Sequence, residues 1–259
     1  MTDPEGQPNP MLHSLSGHVG ELRKRILWSF VAMAVGTGIC WLLREPIYAF
    51  LVQPLADAMG DSGTKRLIYT GLTEAFFTYL RVAFFAGCFL TFPIILSQIW
   101  MFVAPGLYKN EKNVFLPYLI ATPLLFFIGG AMVYYLVIPT AWSFFLSFQS
   151  TGDETVLPIQ LEAKVGEYLD LVMSLIFAFG FCFQLPVLLA LLAQAGVVGA
   201  AGLRSARRYA IVAIFAVAAV MTPPDVFSQL ALAIPICLLY EISILLVSRI
   251  EKARNARAS

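Results

Sequence analysis

One carboxylate stands between two lysines in a short segment of this sequence. Residues 102–112 read FVAPGLYKNEK, so that Glu111 lies between Lys109 and Lys112. The segment separates two long stretches without charge, residues 82–108 and 113–149. An acid that is fixed by short helical connections can accept charge-assisted hydrogen bonds from a cationic ligand. The alternative interpretation is a solvated acid that balances the two lysines.

A second acid, Glu21, precedes the first apolar stretch in the sequence ELRKR. On a helix it lies one turn before Arg25, and such an i,i+4 pair stabilises a helix by only about 0.2–0.5 kcal/mol. Two interpretations therefore remain open for Glu21. It either pairs with Arg25 or joins Glu111 in binding a cationic ligand.

The composition indicates a membrane protein. Hydrophobic residues make up 59% of the 259 residues and charged residues only 13%, whereas soluble domains are about 25% charged. The apolar residues are gathered into stretches that approach the roughly 20 helical residues needed to cross a hydrocarbon core. Lipid offers no hydrogen-bond partners to the backbone, so these stretches must be helical. We therefore expect an all-α polytopic membrane protein.

Six spans can be placed along the chain, with short spans five and six, at residues 26–43, 74–102, 114–138, 168–194, 209–221 and 226–247. Long loops are expected at 44–73 and 139–167. Prolines within several spans predict bent helices and a concave rather than compact bundle. We expect a disordered segment at 1–16, one membrane domain at 17–249 and a basic tail at 250–259.

The basic residues predict the orientation. Twelve of the 17 lysines and arginines fall on the side of both termini. Because basic residues favour the cytoplasmic side, both termini are predicted to be cytoplasmic, in a cell inner membrane.

Ionisable or amide side chains inside the spans are costly and therefore need partners. Glu74 and Arg81 are seven residues apart in span two and could pair through water or a partner. Gln184 lies near the middle of span four and needs a neighbouring helix or water. Glu241, near the cytoplasmic end of span six, could extend to the membrane surface, pair with Arg249 or face a partner protein.

The sequence offers little support for metal or cofactor chemistry. The four cysteines lie far apart in apolar stretches, and both histidines, His13 and His18, precede the first span without a nearby third ligand. Motifs of intramembrane enzymes such as HExxH and GxSxG are missing. We therefore expect no cofactor, no metal, no enzymatic activity and no nucleic-acid partner.

Three segments resemble one known family. They are HVGELRKRI before span one, SQIWMFVAPGLYKNEK after span two and MTPPDVFSQ between spans five and six. In this order they are similar to TatC, the signal-peptide receptor of the twin-arginine translocase. The resemblance implies that the protein binds twin-arginine signal peptides of folded cargo at the cytoplasmic face and forms the core of a translocation complex driven by proton-motive force. It implies as partners TatA-like and TatB-like single-span proteins and other copies of the chain.

The resemblance also implies roles for individual residues. Glu111, Glu21, Arg23 and Phe102 match the signal-binding patch. The positions that match structural or partner-contact positions are Pro54, Gln184, Asp225 and Glu241. Gln184 departs from the family, which often has a glutamate there, and an amide cannot ionise. A secondary transporter for a small solute is the alternative function, because buried polar residues and bent helices would also serve it.

Overall fold

The protein is described here by a computed structural model that covers residues 10–60, 66–107, 112–150, 161–222 and 226–258. No strand forms within these ranges, which confirms the all-α class, and a single-residue β-bridge joins Ile68 to Lys164. The helices are α1 Pro10–Leu42, α2 Arg44–Ala58, α3 Glu74–Leu107, α4 Lys112–Met132, α5 Ile138–Leu146, α6 Val165–Cys182, α7 Leu185–Gln194, α8 Ala200–Met221 and α9 Val226–Ala258. A π-helical turn, Val133–Val137, connects α4 to α5.

Five segments of the described chain are long and apolar enough to cross a membrane. They are Val19–Leu42, Glu74–Ile99, Pro117–Leu146, Val165–Gln194 and Ser228–Ala256. These correspond to the predicted spans one, two, three, four and six. The predicted span five lies in α8, a helix of 22 residues. Helix α8 is not among the five segments that length and composition identify as spans, because its first half contains Arg204, Arg207 and Arg208.

Two predicted loops contain helix, and both corrections involve proline. The segment that begins Arg44-Glu45-Pro46 was expected to turn, but Pro46 occupies the first turn of α2, where a proline is tolerated. Pro139 was expected to end span three, yet it lies at the start of α5 after the π-helical turn. The helical path of span three therefore continues to Leu146.

The helix boundaries at the two termini also differ from those expected. Helix α1 begins at Pro10, seven residues before the predicted start of the membrane domain. At the other terminus, α9 continues through the predicted tail to Ala258.

The helices alternate in direction, which gives the molecule two ends. At one end, called here the α2 end, Ile68 joins the starts of α3 and α6: its amide donates to the Ala163 carbonyl at 3.0 Å, and its carbonyl accepts from Val165 at 2.9 Å. At the opposite end, called the basic end, Arg25 of α1 meets Gln98 of α3. There too, Arg254 of α9 donates to the carbonyl of Ala193, at the end of α7, at 3.2 Å.

Helices α1 and α3 approach so closely that only glycine fits at the contact. A Cβ atom on Gly87 would lie 2.6 Å from the backbone nitrogen of Thr37, and one on Gly36 would lie 3.2 Å from the carbonyl oxygen of Gly87. Small residues allow helix backbones to approach in membranes, where packing rather than water exclusion holds helices together. This contact therefore fixes α1 against α3.

Pro54 lies buried in the interior of α2 and leaves one backbone carbonyl free. A proline has no N–H, so the carbonyl four residues earlier, that of Phe50, loses its helical donor. The hydroxyl of Tyr134 donates to that oxygen at 2.6 Å, and the rings of Phe50 and Tyr134 stack with centroids 4.2 Å apart. The hydroxyl of Tyr168 donates to the neighbouring carbonyl of Leu51 at 2.9 Å. These bonds hold α2 against the span three helix and α6.

The close approach of the backbones predicts that one methyl group added at Gly87 destabilises the protein. Gly87→Ala should destabilise the protein by about 1–3 kcal/mol, because overpacking against a backbone outweighs the better helix propensity of alanine. Gly38→Ala is the matched control, since a Cβ atom there meets nothing within 4 Å. Thermal unfolding of both variants in detergent measures the difference, and equal stability of the two would contradict the packing argument.

The Pro54 arrangement predicts an interaction between two substitutions. Tyr134→Phe should cost about 1–3 kcal/mol, because the Phe50 carbonyl loses its donor, while Tyr135→Phe, at an exposed neighbour, should cost little. In a Pro54→Ala background the restored N–H can serve the Phe50 carbonyl, so that Tyr134→Phe should cost less. A double-mutant cycle on unfolding free energies measures this coupling. Equal costs in both backgrounds would show that Pro54 is not the reason why the Phe50 carbonyl needs the Tyr134 hydroxyl.

Candidate functional site

A groove opens at the basic end between α1 and α3. Its volume is about 410 Å³, and its walls are mainly apolar side chains of both helices, among them Leu22, Ile26, Phe30, Ile95, Ile99 and Phe102. Arg25 and Gln98 add polar groups to this α1–α3 groove. The arrangement offers an apolar channel with a charged border.

Arg25 organises the charged border of the groove. Its Nη2 donates to Oε1 of Glu21 at 3.1 Å, and its Nη1 donates to Oε1 of Gln98 at 3.3 Å. The i,i+4 pairing of Glu21 with Arg25 is thus confirmed. The Glu21 side chain remains 37% exposed, and a partly exposed ion pair of this kind contributes little to stability. A second guanidinium can therefore reach the Glu21 carboxylate without breaking a strong bond.

The structure brings two of the predicted signal-binding residues to this groove. Phe102 lies in its wall, and Glu21 borders it through Arg25. Arg23 is exposed on α1, two residues beyond Glu21. Glu111 and Asp225 lie outside the described residues, so the separation of Glu21 from Glu111 stays a prediction.

The structure confirms that the Gln184 side chain forms a hydrogen bond with a neighbouring helix. It lies at the break between α6 and α7, where its Nε2 donates to the carbonyl of Thr122 on α4 at 3.0 Å. Its Oε1 is buried without a hydrogen-bond partner in the described part of the protein. Gln184 therefore links helices α4 and α6, at a distance from the groove.

Glu241 pairs with a different arginine from the one expected. Its Oε2 accepts from Nη2 of Arg207 on α8 at 2.7 Å, so the predicted pairing with Arg249 is wrong. Arg249 is two helical turns further along α9, whereas Arg207 lies on the adjacent helix. Close by, the hydroxyl of Tyr240 donates to the carbonyl of Leu203 at 2.8 Å. These contacts join α8 to α9.

The expected pairing of Glu74 with Arg81 is also wrong. Glu74 accepts hydrogen bonds through Oε2 from the backbone nitrogens of Thr70, at 2.8 Å, and Gly71, at 3.1 Å. Arg81 instead donates through Nη1 to Oδ2 of Asp170 on α6 at 2.6 Å. The sequence analysis missed Asp170. Its position near the start of span four, at the same end as Arg81 in span two, was the available signal.

The family described as Sec-independent protein translocase protein (TatC) matches residues 17–235. The chain belongs to the TatC family. A TatC protein of Magnetococcus marinus is 49% identical over 92% of this chain and 84% of its own length. A TatC protein of Rickettsia prowazekii is 44% identical over 94% of this chain and 96% of its own.

A solved TatC structure confirms the fold. The crystal structure of a protein named Twin Arginine Translocase Receptor TatC superposes with a TM-score of 0.77 at 34% identity, covering 90% of this chain and 99% of the other. The chain is therefore a TatC-family component of a Sec-independent protein translocase, with membrane-spanning helices. This finding favours the translocase over the alternative of a small-solute transporter.

The contacts of Arg25 predict that it contributes more to the stability of the protein than its neighbour Lys24. Arg25→Gln should destabilise the protein by about 1–2 kcal/mol, because it removes the charge-assisted bond to Gln98 that connects α1 to α3. Lys24→Gln, at the exposed neighbouring position, should change stability by less than about 0.5 kcal/mol. Thermal unfolding in one detergent compares the two variants. Equal effects would show that Arg25 does not connect the helices.

Proposed function

We propose that this chain is the receptor subunit of a twin-arginine translocase and binds signal peptides that carry two consecutive arginines. The observation that supports this most is the partly exposed Glu21 carboxylate at the border of an apolar groove, in a chain of the TatC family. The name of the solved relative, a twin-arginine translocase receptor, agrees with the proposal.

The chemistry of the ligand suits two carboxylates. A guanidinium presents a planar fork of donors that binds a carboxylate in bidentate fashion, whereas a lysine ammonium acts as a point charge. In the proposed complex Glu111 and Glu21 each bind one arginine, with Arg23 and Phe102 beside them. The pairing of Glu21 with Arg25 leaves its carboxylate partly exposed for this purpose.

The proposed topology places both termini and the basic end in the cytoplasm of a cell inner membrane. It is supported by the arginines at that end, among them Arg25, Arg204 and Arg254, and by the positive-inside rule. With α8 counted as span five, the chain crosses the membrane six times. TatA-like and TatB-like proteins and further copies of the chain are the proposed partners, and proton-motive force is the proposed energy source. Pro54, Asp225 and Glu241 are proposed as structural or partner-contact positions.

The proposal predicts a specific loss of peptide affinity. Glu111→Ala should weaken binding of a twin-arginine signal peptide by about tenfold to a hundredfold, because it removes charge-assisted hydrogen bonds. Glu21→Ala should weaken binding less, since Arg25 already shares that carboxylate. Titration of a fluorescent peptide against the purified protein in nanodiscs measures both effects.

Two controls accompany that titration. Glu45→Ala removes an exposed acid at the α2 end and should leave the affinity unchanged. A twin-lysine peptide should bind the unmodified protein about tenfold more weakly than the twin-arginine peptide. Unchanged affinity in Glu111→Ala would remove the role assigned to this residue.

A further inference from the structure

Arg81 and Asp170 form an ion pair beside a large cavity. The cavity has a volume of about 1200 Å³ and lies between α3 and α6, with Thr37 of α1 and Val217 of α8 at its sides. Most of its walls are apolar, including Phe84, Phe177 and Phe181. Although the pair is in contact at 2.6 Å, the Arg81 side chain is 60% exposed and that of Asp170 is 48% exposed.

The depth of this ion pair matches a lipid headgroup region. The helical path Val165–Gln194 has 30 residues and is about 45 Å long, which equals a bilayer with its headgroups. The hydrocarbon core takes about 30 Å of this length and leaves roughly 7 Å at each end. Asp170 lies five residues, or about 7.5 Å, from the start of α6. The pair is therefore at the boundary between headgroups and hydrocarbon.

The length of the cavity matches one leaflet rather than the whole bilayer. Its walls along α6 extend from Asp170 to Cys182, a distance of about 18 Å. Half of the hydrocarbon core is about 15 Å thick, whereas a transmembrane helix would need about 30 Å of groove. An acyl chain fits this length, and a spanning helix does not.

Both members of the pair can still bind a group of opposite charge. Within the described ranges, Arg81 uses only Nη1 and Asp170 only Oδ2. A guanidinium has five N–H donors and a carboxylate has two acceptor oxygens, so both groups can bind a further partner. The free donors of Arg81 suit a phosphate, and the free oxygen of Asp170 suits an ammonium group.

We propose that the cavity holds one phospholipid with a primary ammonium headgroup, from the leaflet at the α2 end. Arg81 binds its phosphate, Asp170 binds its ammonium group, and one acyl chain lies against Phe84, Phe177 and Phe181. This site is separate from the α1–α3 groove, which lies at the basic end.

Native mass spectrometry with defined lipids tests the site. The unmodified protein is delipidated and incubated with phosphatidylethanolamine, phosphatidylcholine or phosphatidylglycerol that carry identical acyl chains. We expect about tenfold greater retention of phosphatidylethanolamine, since a quaternary ammonium donates no hydrogen bond and a glycerol carries no charge. Equal retention of all three lipids would overturn the proposal, and this measurement requires no variant.

Variants at two ion pairs locate the binding. Arg81→Gln and Asp170→Asn should each reduce retention of phosphatidylethanolamine to the level of phosphatidylcholine. Arg66→Gln and Glu162→Gln are matched controls, because they remove an exposed ion pair at the same end but outside the cavity. Equal losses in the controls would overturn the assignment to Arg81 and Asp170.

Photocrosslinking in native membranes distinguishes a lipid from a protein helix in the cavity. A photoreactive benzoylphenylalanine in place of Phe84, an exposed residue of the cavity wall, should give a lipid adduct detectable by mass spectrometry. A protein adduct without a lipid adduct would show that a partner helix occupies the cavity instead.

Discussion

The contact between Gly87 and the backbone of α1 positions both the α1–α3 groove and the Arg81 cavity. Helix α3 carries one wall of the α1–α3 groove and one wall of the Arg81 cavity, and both sites also include α1. The close approach near Gly36 lies between them along the helix pair. This one contact therefore sets the width of the groove on one side and holds Thr37 at the side of the cavity on the other.

Elsewhere the helices are joined largely through backbone carbonyls. Tyr134 binds the carbonyl of Phe50, Gln184 that of Thr122, Tyr240 that of Leu203 and Arg254 that of Ala193. Pro54 releases the carbonyl of Phe50, and in lipid an unsatisfied carbonyl is costly. A polar side chain that binds one satisfies the backbone and fixes a neighbouring helix at the same time. This explains how a strongly apolar chain can specify a single helix arrangement.

The helical class, five of the six predicted spans and the Glu21–Arg25 pair, one of two interpretations of Glu21, were predictable because hydropathy and helical spacing are local properties. The prediction was wrong at Pro46 and Pro139. Each proline was expected to lie outside a helix, but each lies in the first turn of one. The prediction was also wrong for the partners of Arg81 and Glu241. The two residues of each ion pair are 89 and 34 positions apart in the sequence. Such partners are selected by the packing of the helices and not by spacing along the chain.

The contacts of helix α8 with α9 have a consequence for its position. Its three arginines make it a poor membrane span by itself, yet it is bound to α9 through Arg207 and Glu241, Tyr240 and Leu203, and Gln229 and the Phe215 carbonyl. Only after α9 has been synthesised can these contacts form. The position of α8 in the bilayer therefore depends on α9, so that any change that displaces α9 also displaces its weakly apolar neighbour.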